Sequence, residues 1–227
     1  MKLLLDTANL DDIKYFNTHY PIVGVTTNPT ILSAEGGDVL KLLRQIREIL
    51  GPDKELHVQV MESEYEKIVE EAFAIVSYLG GNTCVKIPCT DVGLRATSYL
   101  ASKGVRITVT AVLTAAQAML AANAGAAYVA PYVSRSENLC ADGVGMVADI
   151  VAILDASASD TQILAASFKT AKEVLDVAVA GCHTATVASP VMRSLLAHTT
   201  TDSSIAGFER DWKRAFGNNT LLSLLSK

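Results

Sequence analysis

The sequence predicts a single (β/α)₈ barrel with an extra helix near its C-terminus. Eight short segments rich in β-branched residues alternate with longer segments rich in Ala, Leu, Glu and Lys. Strands that alternate with helices are typical of parallel βαβ units, and eight such units close into a barrel. The chain has 227 residues, of which 50% are hydrophobic, and one barrel needs about that length.

The predicted strands share short length and a high content of Val, Ile and Thr. They cover residues 3–5, 22–26, 57–60, 83–87, 107–112, 127–133, 162–167 and 184–188. An open, doubly wound sheet is the alternative to a barrel. No GxGxxG motif follows the first strand, which weakens that alternative.

Helical patterns occupy the intervals between these strands. They include residues 65–78, 91–103, 114–124, 144–154 and 170–180. A further amphipathic helix is predicted over 204–216, with one face formed by Ile205, Phe208, Trp212 and Phe216. Because the barrel is complete at its eighth unit, this helix must lie across the barrel mouth or contact a neighbouring subunit. We expect residues 1–227 to form one domain, with 204–227 an extension used in oligomer contacts.

Composition excludes several classes of function. A net charge of −5 and a pI near 5.4 argue against a nucleic-acid surface, and no apolar stretch is long enough to span a membrane. The apolar start of the chain is too short for a signal peptide, and the four cysteines form no CxxC pair. We therefore expect a cytoplasmic protein without nucleic-acid or membrane partners. The four histidines are scattered singly, so no metal site is expected.

Lys86 is the residue that first indicates a reaction. Alternation along its strand places Val85 and Ile87 on one face and Cys84 and Lys86 on the other. Burial disfavours an ammonium group, so an inward-pointing lysine loses its proton more readily and can then attack a carbonyl. Taken alone, a lysine that reaches water or pairs with a carboxylate is the simpler interpretation.

Polar residues also lie at the C-terminal ends of the other strands, where such a barrel has its active site. Bulky branched side chains normally fill a barrel interior. A ring of polar groups is therefore costly unless its members satisfy one another or bind a ligand. The inward-facing polar positions are Asp6, Thr26, Asn28, Gln59, Thr108, Thr110, Tyr132 and Ser167.

Each of these positions has a structural alternative. Asp6 can cap a helix, and residues 26–29 can form only a turn. Gln59 can belong to a satisfied polar layer, and Tyr132 can be a core residue whose hydroxyl bonds to a carbonyl. Their common location around one lysine favours a binding or catalytic site over these separate explanations.

A phosphate site is indicated near the end of the seventh strand. Ser167 ends that strand, and the planar guanidinium of Arg135 suits a phosphate group. A surface salt bridge between Arg135 and Glu137 is an equally good explanation from the residues alone. Lys169 is either a second cation or amine of the site or a structural residue at the start of a helix. We favour the structural role, since Lys169 lies beyond the strand end.

Seven segments along the chain form a recognisable set. They are Leu5-Asp6-Thr7, Gly24-Val25-Thr26-Thr27-Asn28-Pro29, Gln59-Val60-Met61, Val85-Lys86-Ile87-Pro88, Ala130-Pro131-Tyr132-Val133-Ser134-Arg135, Ala165-Ala166-Ser167-Phe168-Lys169-Thr170 and Phe208-Glu209-Arg210-Asp211-Trp212. With these segments the chain resembles the small transaldolase family. The Thr-Thr-Asn-Pro turn together with the Val-Lys-Ile-Pro strand is the most specific signal. The resemblance implies a TIM barrel and a class I Schiff-base mechanism, with no metal and no organic cofactor.

The resemblance also implies individual roles. Lys86 matches the Schiff-base lysine, while Asp6 and Asn28 match groups that bind substrate hydroxyls and assist proton movement. The remaining matches are the pocket-lining Thr26 and Thr110 and the phosphate binders Arg135 and Ser167. The same resemblance implies a homo-oligomer, a pentamer or decamer, in which the C-terminal helix packs on a neighbouring subunit.

Two positions separate the branches of this family. Aldolases carry Gln and Tyr where this chain has Gln59 and Tyr132, whereas transaldolases usually carry Glu and Phe. We therefore predict an aldehyde-lyase that cleaves or forms fructose 6-phosphate, using dihydroxyacetone and glyceraldehyde 3-phosphate. The predicted catalytic residues are Lys86, Tyr132, Asp6, Gln59 and Thr110.

Two other functions remain as alternatives. One is a transaldolase that transfers a dihydroxyacetone unit between sugar phosphates, and the other is a non-catalytic barrel that binds sugar phosphates. The chain departs from the family pattern at Cys89, and also after Arg135, where Ser-Glu-Asn replaces a hydrophobic residue followed by Asp. The second departure concerns the geometry of the expected phosphate loop.

Overall fold

Eight parallel strands close into a barrel in the computed structural model, which describes residues 1–226. Each strand pairs with the next along the chain, and the eighth pairs with the first. This confirms the predicted fold class. The strands are β1 (Lys2–Asp6), β2 (Gly24–Thr26), β3 (Glu55–Gln59), β4 (Thr83–Pro88), β5 (Arg106–Val112), β6 (Tyr128–Pro131), β7 (Gln162–Ala165) and β8 (Thr184–Val187).

Twelve helices lie between and after the strands within residues 1–226. They are α1 (Leu10–His19), α2 (Pro29–Glu35), α3 (Val39–Leu50), α4 (Tyr65–Leu79), α5 (Asp91–Ser102), α6 (Ala115–Asn123), α7 (Val133–Glu137), α8 (Gly143–Ala156), α9 (Ala171–Val179), α10 (Ser189–Leu196), α11 (Thr199–Phe216) and α12 (Leu221–Leu225). Within residues 1–226, no helix combines the length and the apolar character needed to cross a membrane.

Side-chain caps determine where several helices begin. Asn9 caps α1 by accepting a hydrogen bond from the backbone N–H of Asp12 at 3.0 Å. Asp6 therefore does not cap this helix and remains at the end of β1. Asn28 caps α2 through Oδ1, which accepts from the N–H of Ile31 at 2.9 Å.

Strand alternation sorts the side chains into two apolar clusters. Val85 and Ile87 belong to the large cluster between the strands and the helices, as their position in β4 predicted. A smaller cluster fills the barrel interior and includes Leu4, Ala130 and Leu164, all of them buried. The interior below the strand ends is therefore packed rather than open.

An irregularity in β5 shapes the barrel mouth. The register between β5 and β6 shifts between Val109 and Val112, and Ala111 adopts a φ of 59°, which is unfavourable for a residue with a side chain. Strand β6 ends two residues earlier than predicted, at Pro131. Tyr132 is instead the N-cap residue of the short helix α7, which gives it an extended backbone beyond the strand.

A charged network lies inside the barrel at the N-terminal end of the strands. The Glu55 carboxylate accepts hydrogen bonds from Arg106 Nη2 and from the Tyr128 hydroxyl, each at 2.8 Å. His57 Nε2 lies 3.2 Å from the same carboxylate, and His57 Nδ1 lies 2.9 Å from Thr108 Oγ1. Thr108, predicted among the polar groups at the strand ends, thus belongs to this lower network.

The network keeps Glu55 ionised. Burial alone would raise the pKa of Glu55, but hydrogen bonds and charge from His57, followed by hydrogen bonds from Arg106 and Tyr128, lower it to about 2. Burial lowers the pKa of His57, and the hydrogen bond and charge of Glu55 oppose this shift. The imidazole connects Glu55 with Thr108. The network therefore satisfies a carboxylate, a guanidinium and an imidazole that alternation places inside the barrel.

The chain divides into two compact units, and the second begins at Arg193. In that second unit, helix α11 starts at Thr199, five residues before the predicted start at 204. Phe208 is 71% exposed, and the ring of Trp212 lies 4.5 Å from that of Phe216. The predicted apolar face is thus present on one continuous helix, and its use in oligomer contacts stays a prediction.

Replacing Glu55 by Gln should lower the free energy of unfolding at pH 7 by roughly 1–3 kcal/mol, because three donors lose a shared carboxylate. The folded-state pKa of about 2 lies below the unfolded value of 4.5. The stabilisation is therefore complete above pH 4.5 and is lost as the pH falls towards 2. Urea unfolding at several pH values measures both effects.

The exposed Glu48 provides the matched control. Glu48→Gln should change the free energy of unfolding by no more than about 0.5 kcal/mol. If the parent and Glu55→Gln lose stability in parallel between pH 4.5 and 2, the low pKa of Glu55 is wrong.

Candidate active site

A cavity of about 490 Å³ opens at the C-terminal ends of the strands. Its walls combine polar strand-end residues with apolar groups such as Leu164 and Phe168. Nine of the residues proposed for a site from the sequence line this one cavity, and Thr108 does not: they are Asp6, Thr26, Asn28, Gln59, Lys86, Thr110, Tyr132, Arg135 and Ser167. Strand alternation and the strand-end position thus bring most of these residues together, whereas α7 places Tyr132 and Arg135.

Lys86 extends from β4 into the floor of the cavity. Its side chain is almost fully enclosed, with 6% of the residue exposed, and Nζ donates a hydrogen bond to the Thr27 carbonyl at 2.7 Å. Burial lowers the pKa of Lys86, and the nearby Asp6 charge offsets only part of this effect. The neutral amine is therefore favoured at lower pH than for a lysine in water.

A chain of hydroxyl groups orients Asp6. Thr26 Oγ1 donates to Asp6 Oδ1 at 2.6 Å, and Thr186 Oγ1 lies 2.6 Å from Thr26 Oγ1. Because the single proton of Thr26 is directed at Asp6, Thr186 must donate to Thr26. Burial raises the pKa of Asp6, and the Lys86 charge and the Thr26 hydrogen bond lower it by less. Burial thus disfavours the charged form of both Asp6 and Lys86.

Thr186 is a site residue that the sequence reasoning missed. It lies on β8 and shares the inward face of that strand with Thr184. The signal was available, since the alternation that selects Gln59 and Lys86 selects Thr186 on the last strand. No polar residue had been taken from that strand.

Tyr132 and Thr110 form a second polar pair across the cavity. Tyr132 Oη and Thr110 Oγ1 are 3.1 Å apart, and either can be the donor. Gln59 lines the same cavity from β3, where its register partner on β4 is Lys86. A phenolic hydroxyl, a threonine hydroxyl and a carboxamide therefore share the space above the amine.

Arg135 lies at the rim of the cavity on α7. Its guanidinium carbon is 4.6 Å from the centre of the Tyr132 ring, which is a cation–π distance. Glu137, the alternative ion-pair partner, accepts a hydrogen bond from the backbone N–H of Gly143 at 2.8 Å. This use of the Glu137 carboxylate argues for an arginine directed at the cavity.

Ser167 and Lys169 approach the same rim from the loop that precedes α9. Ser167 has a φ of 64°, a left-handed conformation that is costly for a residue other than glycine. Lys169 lines the cavity although the sequence favoured a structural role for it. The rim therefore presents two cationic side chains, Arg135 and Lys169, together with the serine hydroxyl.

Potential metal ligands meet elsewhere, inside the lower part of the barrel. Ligand atoms of Glu55, His57 and Cys84 lie within 4.8 Å of one another. The Glu55 and His57 atoms already take part in the charged network, and burial raises the pKa of the Cys84 thiol to about 12. These groups lie outside the cavity, and the expected lack of a catalytic metal stays a prediction.

The cavity provides three chemical capabilities together. A buried amine with a lowered pKa can add to a carbonyl carbon. Asp6 and the Tyr132–Thr110 pair lie where they can exchange protons with a bound molecule. Arg135 and Lys169 at the rim can hold an anionic end of that molecule.

Comparison with known proteins gives a family match over nearly the whole chain. The model of a family described as transaldolase/fructose-6-phosphate aldolase matches residues 3–220. A probable transaldolase from Symbiobacterium thermophilum is 40% identical over 217 residues, covering 96% of this chain and 99% of that protein. A probable transaldolase from Clostridium acetobutylicum is 40% identical over 216 residues, covering 95% and 99%.

A solved structure supports the fold independently. The 3,6-anhydro-D-galactonate cycloisomerase from Zobellia galactanivorans superposes with a TM-score of 0.57 at 12% sequence identity. The superposition covers 82% of this chain but only 53% of the cycloisomerase chain. At this identity the likeness concerns the barrel alone.

Proposed function

The chain belongs to the transaldolase/fructose-6-phosphate aldolase family, and we propose that it cleaves and forms fructose 6-phosphate as a class I, Schiff-base aldolase. The products of cleavage are dihydroxyacetone and glyceraldehyde 3-phosphate. The observation that carries this proposal is the Tyr132 hydroxyl, 3.1 Å from Thr110 in the cavity that holds the buried Lys86.

The first steps attach the substrate to Lys86. The neutral amine adds to the C2 carbonyl carbon of the ketose, and loss of water gives an iminium ion. Asp6, whose pKa burial raises, can hold the proton that the departing hydroxyl requires. Asn28 retains its amide hydrogens for a substrate hydroxyl, since its cap on α2 uses only Oδ1.

Carbon–carbon cleavage uses the iminium as the electron acceptor. Removal of the proton from the C4 hydroxyl breaks the C3–C4 bond and releases the aldehyde. The bonding electron pair moves into the iminium and leaves an enamine on Lys86. Protonation of the enamine at C3 and hydrolysis by water then release dihydroxyacetone and restore the free amine.

The fate of the enamine distinguishes the two candidate activities. An aldolase protonates it, and the Tyr132–Thr110 pair with Gln59 offers a proton source in the cavity. A transaldolase keeps the enamine until its C3 carbon attacks the carbonyl carbon of a second aldehyde, which forms a new C–C bond and restores the iminium. The names of the two relatives favour transaldolase activity as the second candidate, whereas Gln59 and Tyr132 favour the aldolase.

The cations at the rim fit the phosphate group of the substrate. Arg135 provides a planar donor, Ser167 a hydroxyl and Lys169 a second positive charge, and all three line the cavity. Lys86 lies on the floor of the same cavity. A phosphate held at the rim would therefore direct the carbonyl end of the sugar towards the amine.

Incubation with dihydroxyacetone and borohydride should attach a reduced three-carbon unit to Lys86, because borohydride reduces the iminium to a stable amine. Peptide mass mapping locates the label, and incubation with fructose 6-phosphate alone should release glyceraldehyde 3-phosphate. Lys86→Ala should retain the parental circular dichroism spectrum and lose both the label and the turnover. Lys169→Ala is the matched control and should keep the label.

A label on Lys169, or more than a few per cent of parental turnover in Lys86→Ala, contradicts the assignment of the nucleophile. A parent that forms no adduct at all would favour a non-catalytic sugar-phosphate-binding barrel. Adduct formation without cleavage of fructose 6-phosphate would instead exclude the proposed substrate.

Tyr132→Phe should shift the reaction from cleavage towards transfer, because the enamine loses a nearby proton source. We expect at least a tenfold fall in the ratio of cleavage to transfer, and Gln59→Glu in the same chain should lower it further. Rates of fructose 6-phosphate cleavage and of sedoheptulose 7-phosphate formation measure this ratio. A parent that transfers faster than it cleaves would make transaldolase the correct function.

The second compact unit is proposed to contact a neighbouring subunit in a pentamer or decamer. On α11, Ile205, Phe208 and Phe216 are 50%, 71% and 49% exposed, and Leu222 and Leu225 on α12 are 76% and 84% exposed. This much exposed apolar surface on two successive helices is typical of a protein interface.

Deleting all residues after His198 removes α11 and α12 together with these apolar side chains. The shortened chain should therefore form a smaller assembly. Light scattering on a size-exclusion column measures the molar mass of the parent and of the shortened chain. The double variant Phe208→Ser, Leu222→Ser tests the same surface without a deletion. A monomeric parent, or a shortened chain of unchanged assembly size, would contradict the interface.

A further inference from the structure

Two cation-bearing segments meet at one side of the cavity mouth. We call residues 132–137, which carry Arg135, the Arg135 segment, and residues 166–170, which carry Lys169, the Lys169 segment. Two backbone hydrogen bonds join them directly, from Val133 N–H to the Ala166 carbonyl at 3.0 Å and from Ser134 N–H to the Ser167 carbonyl at 2.9 Å. Ser167 also has the unfavourable φ of 64°, so this arrangement needs further support.

Glu173, on the first turn of α9, connects the same two segments through its side chain. Oε1 accepts a hydrogen bond from the Ser134 hydroxyl at 2.7 Å. Oε2 accepts from the backbone N–H of Lys169 at 2.7 Å and from that of Thr170 at 3.0 Å. Both oxygens are thus used, one on each segment.

These hydrogen bonds lie at or directly beside the two cationic residues in the sequence. Ser134 immediately precedes Arg135, and the second oxygen holds the backbone of Lys169 itself. Glu173 is absent from the residues that line the cavity, although Arg135 and Lys169 are among them. Its carboxylate therefore fixes the backbones that carry the two cations without touching a ligand.

We propose that Glu173 is a positioning residue that sets the separation of Arg135 and Lys169 and thereby determines the preference for phosphorylated aldehydes. The inference rests on the proposed function, in which these cations hold the substrate phosphate. Two cations bind one phosphate well only when both reach it at hydrogen-bond distance. Freeing either segment should weaken the binding of a phosphate and leave the amine end of the cavity unchanged.

Charge and geometry can be separated at this position. Glu173→Gln keeps an oxygen for the two backbone N–H groups and gains an NH₂ group that can donate to the Ser134 hydroxyl. The connection survives without the negative charge. Glu173→Ala removes the connection altogether, and Ser134→Ala removes one arm while the Thr170–Glu173 capping box remains.

The test compares glyceraldehyde 3-phosphate with unphosphorylated glyceraldehyde as acceptors, with dihydroxyacetone as donor. Glu173→Ala should raise KM for the phosphorylated aldehyde about tenfold, the effect of losing one charged hydrogen bond. KM for glyceraldehyde, KM for dihydroxyacetone and kcat should stay within about twofold. Ser134→Ala should show the same selective change, and Glu173→Gln should stay close to the parent.

Asp176→Ala supplies a matched control, since Asp176 lies on the same helix and its carboxylate is bound by Lys172 at 2.7 Å. This variant should leave every KM unchanged. Equal losses for both aldehydes in Glu173→Ala would overturn the inference and give Glu173 a purely structural role. A Glu173→Gln variant as impaired as Glu173→Ala would overturn it as well.

Arg135→Ala separates a failure of this inference from a failure of the proposed function. If Arg135→Ala raises KM for the phosphorylated aldehyde while Glu173→Ala and Ser134→Ala do not, only the positioning role is wrong. If Arg135→Ala has no effect on that KM, the phosphate site is wrong, and the role of Glu173 is wrong with it. Should Glu173→Ala fail to fold, Ser134→Ala provides the same comparison with the capping box intact.

Discussion

Closure of the eight-stranded barrel is the constraint on which the rest of the structure depends. In a closed parallel barrel, every second residue of every strand must point into the interior. The register between neighbouring strands then fixes the position of each inward-pointing residue along the barrel axis. Gln59 and Lys86 are register partners on β3 and β4, and Lys86 pairs in turn with Thr108 on β5. A slip of one residue in β4 would replace Lys86 by Val85 and remove the amine from the cavity.

The polar groups inside the barrel are stabilised in different ways at its two ends. At the lower end, Glu55 is satisfied by Arg106, Tyr128 and His57, so its charge is retained and stabilises the fold. At the upper end, burial shifts the pKa values of Asp6 and Lys86 in opposite directions and disfavours the charged form of each. The lower network therefore stabilises the fold, whereas the upper groups have the shifted pKa values that are typical of functional sites.

Much of this organisation could be predicted from the sequence, because alternation and helix periodicity are local signals. The five helices predicted between strands lie within two residues of their observed ends. The end of β6 was misplaced because Tyr132 has strand character but serves as a helix cap. Helix α11 begins earlier than predicted because its first turns are rich in Thr and Ser and carry no apolar periodicity.

Site residues could be predicted where the alternation of side chains along a strand determines their position. They could not be predicted where contacts between distant segments determine it. Thr186 and Lys169 line the cavity, yet neither was placed there by the sequence reasoning. The role of Glu55 depends on partners 51 and 73 residues away, Arg106 and Tyr128, and that of Glu173 on Ser134. Contacts of this kind form only when the barrel closes, so they cannot be predicted from a short stretch of sequence.

The packed interior also determines how molecules travel. Leu4, Ala130 and Leu164 fill the barrel below the cavity, and the charged network lies beneath them. In the proposed reaction, the substrate, the departing aldehyde and the incoming acceptor would therefore share the opening lined by Arg135 and Lys169. The first product would then compete with the next molecule for this opening. The time that the aldehyde stays at the rim would thus affect which molecule meets the enamine next.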